Sequence, residues 1–177
     1  FSTDASVATR GVYLLSFLPE TNIERVIAYA AQQGRRSIAA ILPQGAYGTV
    51  SQAAFQQAAA NSGMRVAAIE TYSYDRADMQ NKAQLIAKSA AGIDAVFVPD
   101  GGDAAAVIAQ ALISCGLDTA RVKLLGSGQW DDPRVLGDPA FNGAWFAAPD
   151  KSGFDAFAQR FRAAHCGPPP RTATLIY

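Results

Sequence analysis

The sequence has no apolar run approaching the roughly 20 residues that a bilayer-spanning helix needs, so membrane insertion is not expected. No basic leader with an apolar core and a small-residue cleavage site opens it. An excess of one charge is missing too: 15 Lys and Arg stand against 15 Asp and Glu, for a net charge of +0. Nucleic-acid binding needs a clustered positive surplus to neutralise phosphates, so no nucleic-acid partner is expected. Histidine and cysteine are scarce, with His165, Cys115 and Cys166 as the whole set. A zinc site needs about four ligands at short spacings, which these three do not supply. The cysteines read as two small buried hydrophobes, with a Cys115–Cys166 disulfide as the alternative in an oxidising compartment.

Catalytic signatures are also lacking. Gly45-Ala46-Tyr47-Gly48 is neither a dinucleotide fingerprint nor a P-loop. Gly126-Ser127-Gly128 lacks the spacing of a nucleophile elbow. His165 and Cys166 are neighbours on a predicted helix, and neighbours on a helix do not face each other. No phosphate fingerprint, metal set or cofactor motif is found, and no cofactor is expected. A nucleotide-dependent α/β enzyme stands only as an alternative.

What is there is a core-forming chain. Half of its 177 residues are hydrophobic and 17% are charged, which excludes wholesale disorder and suffices for a core without disulfide or metal. Apolar strands alternate with amphipathic helices. Val12–Phe17 reads as a strand. Thr21-Asn22-Ile23-Glu24 offers a capping box, with Ile23, Val26, Ile27 and Ala30 behind it at helical spacing and Gly34 as the stop. Ser37–Leu42 is a continuous apolar run, as in a strand buried on both faces. Pro43–Gly48 reads as a loop, and Thr49-Val50-Ser51-Gln52 as a second capping box before an Ala-rich helix.

The alternation continues with a strand at Met64–Thr71, a turn at Tyr72–Asp75 and a helix at Asp78–Ala90. Asp75 and Asp78 read as caps or dipole partners, and Tyr72 with Tyr74 as rim packing. Asp94–Val98 is a strand, and Asp103 can cap a helix reaching Gly116. Strands follow at Val122–Leu125 and Ala144–Ala147, with Asp132 and Pro133 opening a helix between them. Ser152 can cap a last helix carrying Phe154, Phe157 and Phe161, which Gly167–Pro170 breaks. This pattern predicts an α/β fold, a doubly wound and mostly parallel sheet with helices on both faces, formed by residues 1–177 as one lobe. Phe1–Asp4 reads as a strand end and Thr172–Tyr177 as first helical turns, so the lobe is expected to come from a longer protein.

Ligands of open parallel sheets bind outside the carboxyl ends of the strands. The candidate ligand-binding residues are therefore Gln44, Tyr47, Asp100, Gly101, Asp103, Ser127, Gln129 and Trp130. Glycine lets backbone amides approach a ligand, and Tyr and Trp suit a pocket mouth. The competing reading is structural: Asp103 as a cap and Trp130 as a roof over the core.

The order of Pro43-Gln44-Gly45-Ala46-Tyr47-Gly48, Tyr74-Asp75, Val98-Pro99-Asp100-Gly101-Gly102 and Gly126-Ser127-Gly128-Gln129-Trp130-Asp131-Asp132-Pro133 resembles the C-terminal lobe of type I periplasmic binding proteins. These are the leucine/isoleucine/valine-receptor group. Trp130-Asp131-Asp132-Pro133 followed by Gly143–Pro149 is similar to the penicillin-binding protein activators within it. The resemblance implies a flavodoxin-like, non-enzymatic lobe of an exported, envelope-located protein. It implies a small polar ligand held between this lobe and an N-terminal one that precedes residue 1. A membrane permease of an ABC transporter, or a penicillin-binding protein, is the implied protein partner. Amino-acid receptors of the group often carry an acid in the loop matching Ser127–Gln129, and this sequence has none there. The effector lobe of a transcription regulator shares the fold and is the remaining alternative.

Overall fold

Two apolar strands with every residue buried set the architecture. A computed structural model describes residues 18–149 and 152–165, with the isolated positions 10, 167, 169 and 173. The chain divides into two compact units, residues 19–147, and residues 1–18 with 148–177. In the first unit the order is α1 (Pro19–Gln32), β1 (Ser37–Pro43), α2 (Ala46–Asn61), β2 (Arg65–Tyr72), α3 (Arg76–Lys88), β3 (Ala95–Val98), α4 (Gly102–Ser114), β4 (Lys123–Gly126), α5 (Pro133–Leu136) and β5 (Trp145–Phe146). The five strands are parallel, in the spatial order β2-β1-β3-β4-β5. That is the flavodoxin-like doubly wound order.

Strand periodicity divides the core in two. Ile38, Ala40 and Leu42 of β1, Ala95 and Phe97 of β3 and Leu125 of β4 pack with Ile23, Val26, Ile27 and Ala30 of α1 and Phe55 of α2. Phe55 and Phe97 stack at 5.6 Å. Their alternates, Ala39, Ile41, Val96, Val98 and Leu124, pack with Met79, Ala83 and Ile86 of α3 and Ile108 and Leu112 of α4. Because both faces are covered, β1 and β3 carry no polar alternation.

Several element starts differ from the sequence-based expectation. α1 begins at Pro19, so Thr21 lies inside the helix and does not cap it. Proline fits the first helical position because its φ is preset and its missing N–H would have no partner there. α2 begins at Ala46, and its N-cap is Gly45 at φ 104°. Glycine at this left-handed φ turns the chain directly from β1 into the helix. Thr49 is therefore helical, and its hydroxyl donates back to Gly45 O at 3.1 Å. Only Gln44 and Gly45 remain of the expected loop. α4 is capped by Gly101 and not by Asp103. Asp75 and Asp132 are N-caps, accepting from Asp78 N and Arg134 N. Cys115 is exposed, against the expectation of a buried thiol.

In the second unit, α6 (Ser152–Ala164) carries a run of ring contacts, Phe154 to Phe157 at 6.1 Å, Phe157 to Phe161 at 5.7 Å and Phe161 to His165 at 4.4 Å. The expected strand at Val12–Phe17, Cys166, the end Phe1–Asp4 and, apart from position 173, the end Thr172–Tyr177 lie outside the described residues, and the expected cap Ser152 is the first residue of α6. Among the described residues, no helix is long and apolar enough to cross a membrane.

Candidate ligand site at the strand ends

The strand order reverses between β1 and β3, and the crevice of a doubly wound sheet opens at that reversal. Two segments flank it here, Gln44–Tyr47 after β1 and Pro99–Gly101 after β3. Tyr47, on the first turn of α2, bridges them: its hydroxyl donates to Pro99 O at 3.2 Å and lies 3.4 Å from Ser127 Oγ. α2 sits close enough for this reach because Gly48 has no side chain. A Cβ there would collide with Pro43 O.

Ser127, after β4, is buried at 2% exposure. Its hydroxyl donates to Pro99 O and accepts from Gln129 N at 3.1 Å. It thereby caps the short 3-10 turn Gly128–Trp130 and ties that turn to the β3 end. Trp130 is buried, with its indole against Gly126 and edge-on to Phe141 at 4.7 Å. Its Nε1 donates to Asp100 O at 2.8 Å, giving the polar end of a buried indole its required partner.

Asp100 is the node. Only 8% exposed, it accepts the Tyr72 hydroxyl on Oδ2 at 2.8 Å and the Gly101 N–H on Oδ1 at 3.1 Å. Among the described residues, no Lys or Arg lies within ion-pair distance of it. Burial pushes the Tyr72 phenol far above its ordinary range, and the Asp100 carboxylate beside it adds to the rise. Tyr74, edge-on to Tyr72 at 5.8 Å and 79°, is pushed up to about 12 by desolvation and then by its hydrogen bond to Asp100. Both phenols stay protonated and donate at neutral pH.

Tyr47, Asp100, Ser127 and Trp130 thus come together, with Gly101 and Gln129 in the backbone between them. Gly101 has its own steric reason: a Cβ there would stand 2.7 Å from Gln129 O. Gln129 is exposed. Gln44 is exposed, and its N–H donates to Tyr72 O at 2.8 Å. Asp103 turns outward to Arg134 at 3.5 Å with its side chain 93% exposed, a surface pair of little energetic weight. Sequence reasoning read Tyr72 and Tyr74 as rim packing: Tyr74 is indeed 64% exposed and edge-on to Tyr72, whereas Tyr72, the last residue of β2, is fully buried and bonded to Asp100, a partner that no local pattern names.

Among the described residues, no group of three His, Cys, Asp or Glu could hold a metal ion. The arrangement is a hydrogen-bonded wall of phenols and hydroxyls around one carboxylate. It offers shape and hydrogen bonding.

A doubly wound lobe with such a wall at its switch point is a ligand-binding fold. The family model described as periplasmic binding protein matches residues 2–176. The chain belongs to that family, in its type I, leucine/isoleucine/valine-receptor-like form. A leucine-, isoleucine-, valine-, threonine- and alanine-binding protein from Brucella ovis, in a closed conformation, is similar with a TM-score of 0.76 at 17% identity, over 92% of this chain and 44% of that one. A solute-binding protein of an ABC transporter from R. palustris, in complex with benzoate, gives a TM-score of 0.75 at 20% identity, over 98% and 48%. A substrate-binding protein of an ABC transporter from Desulfitobacterium hafniense, in complex with Leu, gives 0.61 at 21%, over 89% and 46%. This chain spans about half the length of these proteins. None of them is a penicillin-binding protein activator, and that closer likeness finds no support in them. No curated protein matches the chain.

Proposed function

We propose that residues 1–177 form the C-terminal lobe of a two-lobed, exported solute-binding protein that serves an ABC-type permease without catalysing a reaction. A small ligand sits against Tyr47, Asp100–Gly101 and Ser127–Trp130 and is covered by the other lobe. The carrying observation is the Tyr47 hydroxyl, which spans the switch point between the β1 and β3 ends. That contact fixes the crevice walls before any ligand arrives, and a preformed wall reduces the ordering cost of binding. The family of the chain and the solutes named for its structural neighbours, benzoate and leucine, support the reading.

The test is thermal unfolding of the intact protein against amino acids and aromatic carboxylates. A ligand that binds only the native state stabilises it by about 2.7 kcal/mol at a hundredfold excess over its dissociation constant. We expect one compound class to raise the midpoint and Tyr47→Ala to remove the rise. A well-folded protein that responds to no small molecule refutes the reading.

A further inference from the structure

Two of the chain's 6 tyrosines, Tyr72 and Tyr74, meet at one buried carboxylate, and Tyr47 bonds the carbonyl of the residue just before it. Tyr72 arrives from the end of β2, Tyr74 from the segment after it and Tyr47 from the first turn of α2. Both Asp100 oxygens are occupied, by the Tyr72 hydroxyl and by the Gly101 N–H. No cation balances the charge among the described residues. Tyr72 is fully buried and backs the cluster. Tyr74 is 64% exposed and Tyr47 half-buried, so both phenols reach solvent while Asp100 stays buried.

Aromatic faces attract cations through their quadrupole, and a carboxylate behind them strengthens that field. Which cation fits depends on how deeply the carboxylate is buried. A primary ammonium or a guanidinium needs acceptors within hydrogen-bond reach of its N–H groups, and Asp100, 8% exposed and already bonded to Tyr72 and Gly101, offers few of its remaining lone pairs to a ligand. A quaternary ammonium has no N–H. It needs only a negative field and apolar contact, which ring faces supply.

Resting on the solute-binding reading above, we propose that Tyr74 and Tyr47, backed by Tyr72 and Asp100, form one wall of an aromatic cage for a quaternary ammonium group. The ligand is then a small trimethylammonium compound, and Tyr74 is its specificity-determining contact. Asp100 acts as a positioning residue, holding Tyr72 and the Gly101 turn while supplying the field.

Calorimetric titration of the intact protein tests this with choline, its uncharged isostere 3,3-dimethyl-1-butanol, ethanolamine, leucine and benzoate. Choline is expected to bind about tenfold or more tighter than the isostere, the difference being the charge. Tyr74→Ala should weaken choline by about tenfold, while Tyr74→Phe, which keeps the ring, stays within about twofold. Tyr74 is exposed, so both variants should fold. Asp100→Asn should narrow the ratio of choline to isostere, a readout that a general loss of stability does not move. Binding of leucine or benzoate with no preference for choline over the isostere overturns the cage and leaves the solute-binding reading standing. An uncharged ring or isostere that binds best makes Tyr74 a stacking surface and likewise overturns it. Absence of binding to all five probes by a folded protein overturns the cage, while the solute-binding reading falls only with the thermal unfolding screen.

Discussion

The two edges of one sheet are finished by different chemistry. At the N-terminal ends of the strands, arginines close the loops onto backbone carbonyls. Arg35 donates to Arg121 O at 2.9 Å, Arg121 to Ala90 O at 2.7 Å, and Arg65 to Gly92 O at 2.7 Å and to Ser37 Oγ at 2.8 Å. Asp94 completes the clamp by accepting from the N–H groups of Arg36 and Ser37 at 2.9 and 3.0 Å. At the C-terminal ends, around Asp100, phenols, a hydroxyl and an indole take those roles. Both edges satisfy the same requirement, that backbone groups leaving a sheet find partners. The charged clamp holds loops together through backbone carbonyls and amides. The phenol wall holds its loops with the polar tips of side chains and leaves Tyr74 exposed. On the proposed function, the second solution is the one a ligand uses.

The largest expected effect comes from the side chain that joins the wall to the core. Trp130→Ala removes a buried indole, its contact with Phe141 and the bond to Asp100 O. A loss of about 3–5 kcal/mol is expected in denaturant unfolding. Solute binding should fall with it, because the turn that carries Ser127 loses its anchor. A smaller change separates the edges. Asp94→Ala leaves the Arg36 and Ser37 N–H groups without their carboxylate, at a cost of about 2 kcal/mol. Solute affinity should not change, since the residue sits at the opposite end of the strands. An affinity change from Asp94→Ala would show that the edges are coupled and that the contrast drawn between them is too sharp.

How much of this was legible in the sequence follows from the range of each interaction. Ser37–Leu42 and Ala95–Val98 announced themselves because burial on both faces removes polar alternation, a local signature. The α1 stripe of Ile23, Val26, Ile27 and Ala30 was legible for the same reason. Helix starts were misplaced where a single backbone specialist overrode a capping pattern. Pro19 and Gly45 each start a helix before the Thr that matched the motif. At the wall, the rule about strand ends located Tyr47, Asp100 and Ser127 but could not say what they bond to. Asp100 meets a phenol 28 positions earlier in the chain. That pairing exists only because β2 and β3 flank β1, an adjacency no local pattern encodes.

The smallest expected effect is one of pH, and it distinguishes the two edges by chemistry alone. The N-terminal edge is closed by guanidinium groups and the C-terminal edge by phenols. The phenols of the C-terminal edge do titrate, from an ordinary value of 10.0: Tyr74 is raised to about 12 by desolvation and then by the neighbouring Asp100 carboxylate, and Tyr72 is raised further, again by desolvation first and then by that carboxylate. Below pH 10 both phenols are neutral in the native and the unfolded chain, and the stability of the wall is fully present. Above pH 10 the unfolded chain releases protons that the native wall retains, so equilibrium shifts toward unfolding as pH rises through 12. Tyr74 is largely exposed, so its share of that loss is modest and the buried Tyr72 carries more. Ultraviolet difference titration should show a phenol ionising near 12 that disappears in Tyr74→Phe. In Asp100→Asn that step should move down only part of the way to 10, because desolvation, the largest single cause, remains. A Tyr74 that titrates at its ordinary value would detach it from Asp100. The exposed ring would then have no carboxylate beside it, and the phenol wall would lose the feature that separates it most clearly from the arginine clamp.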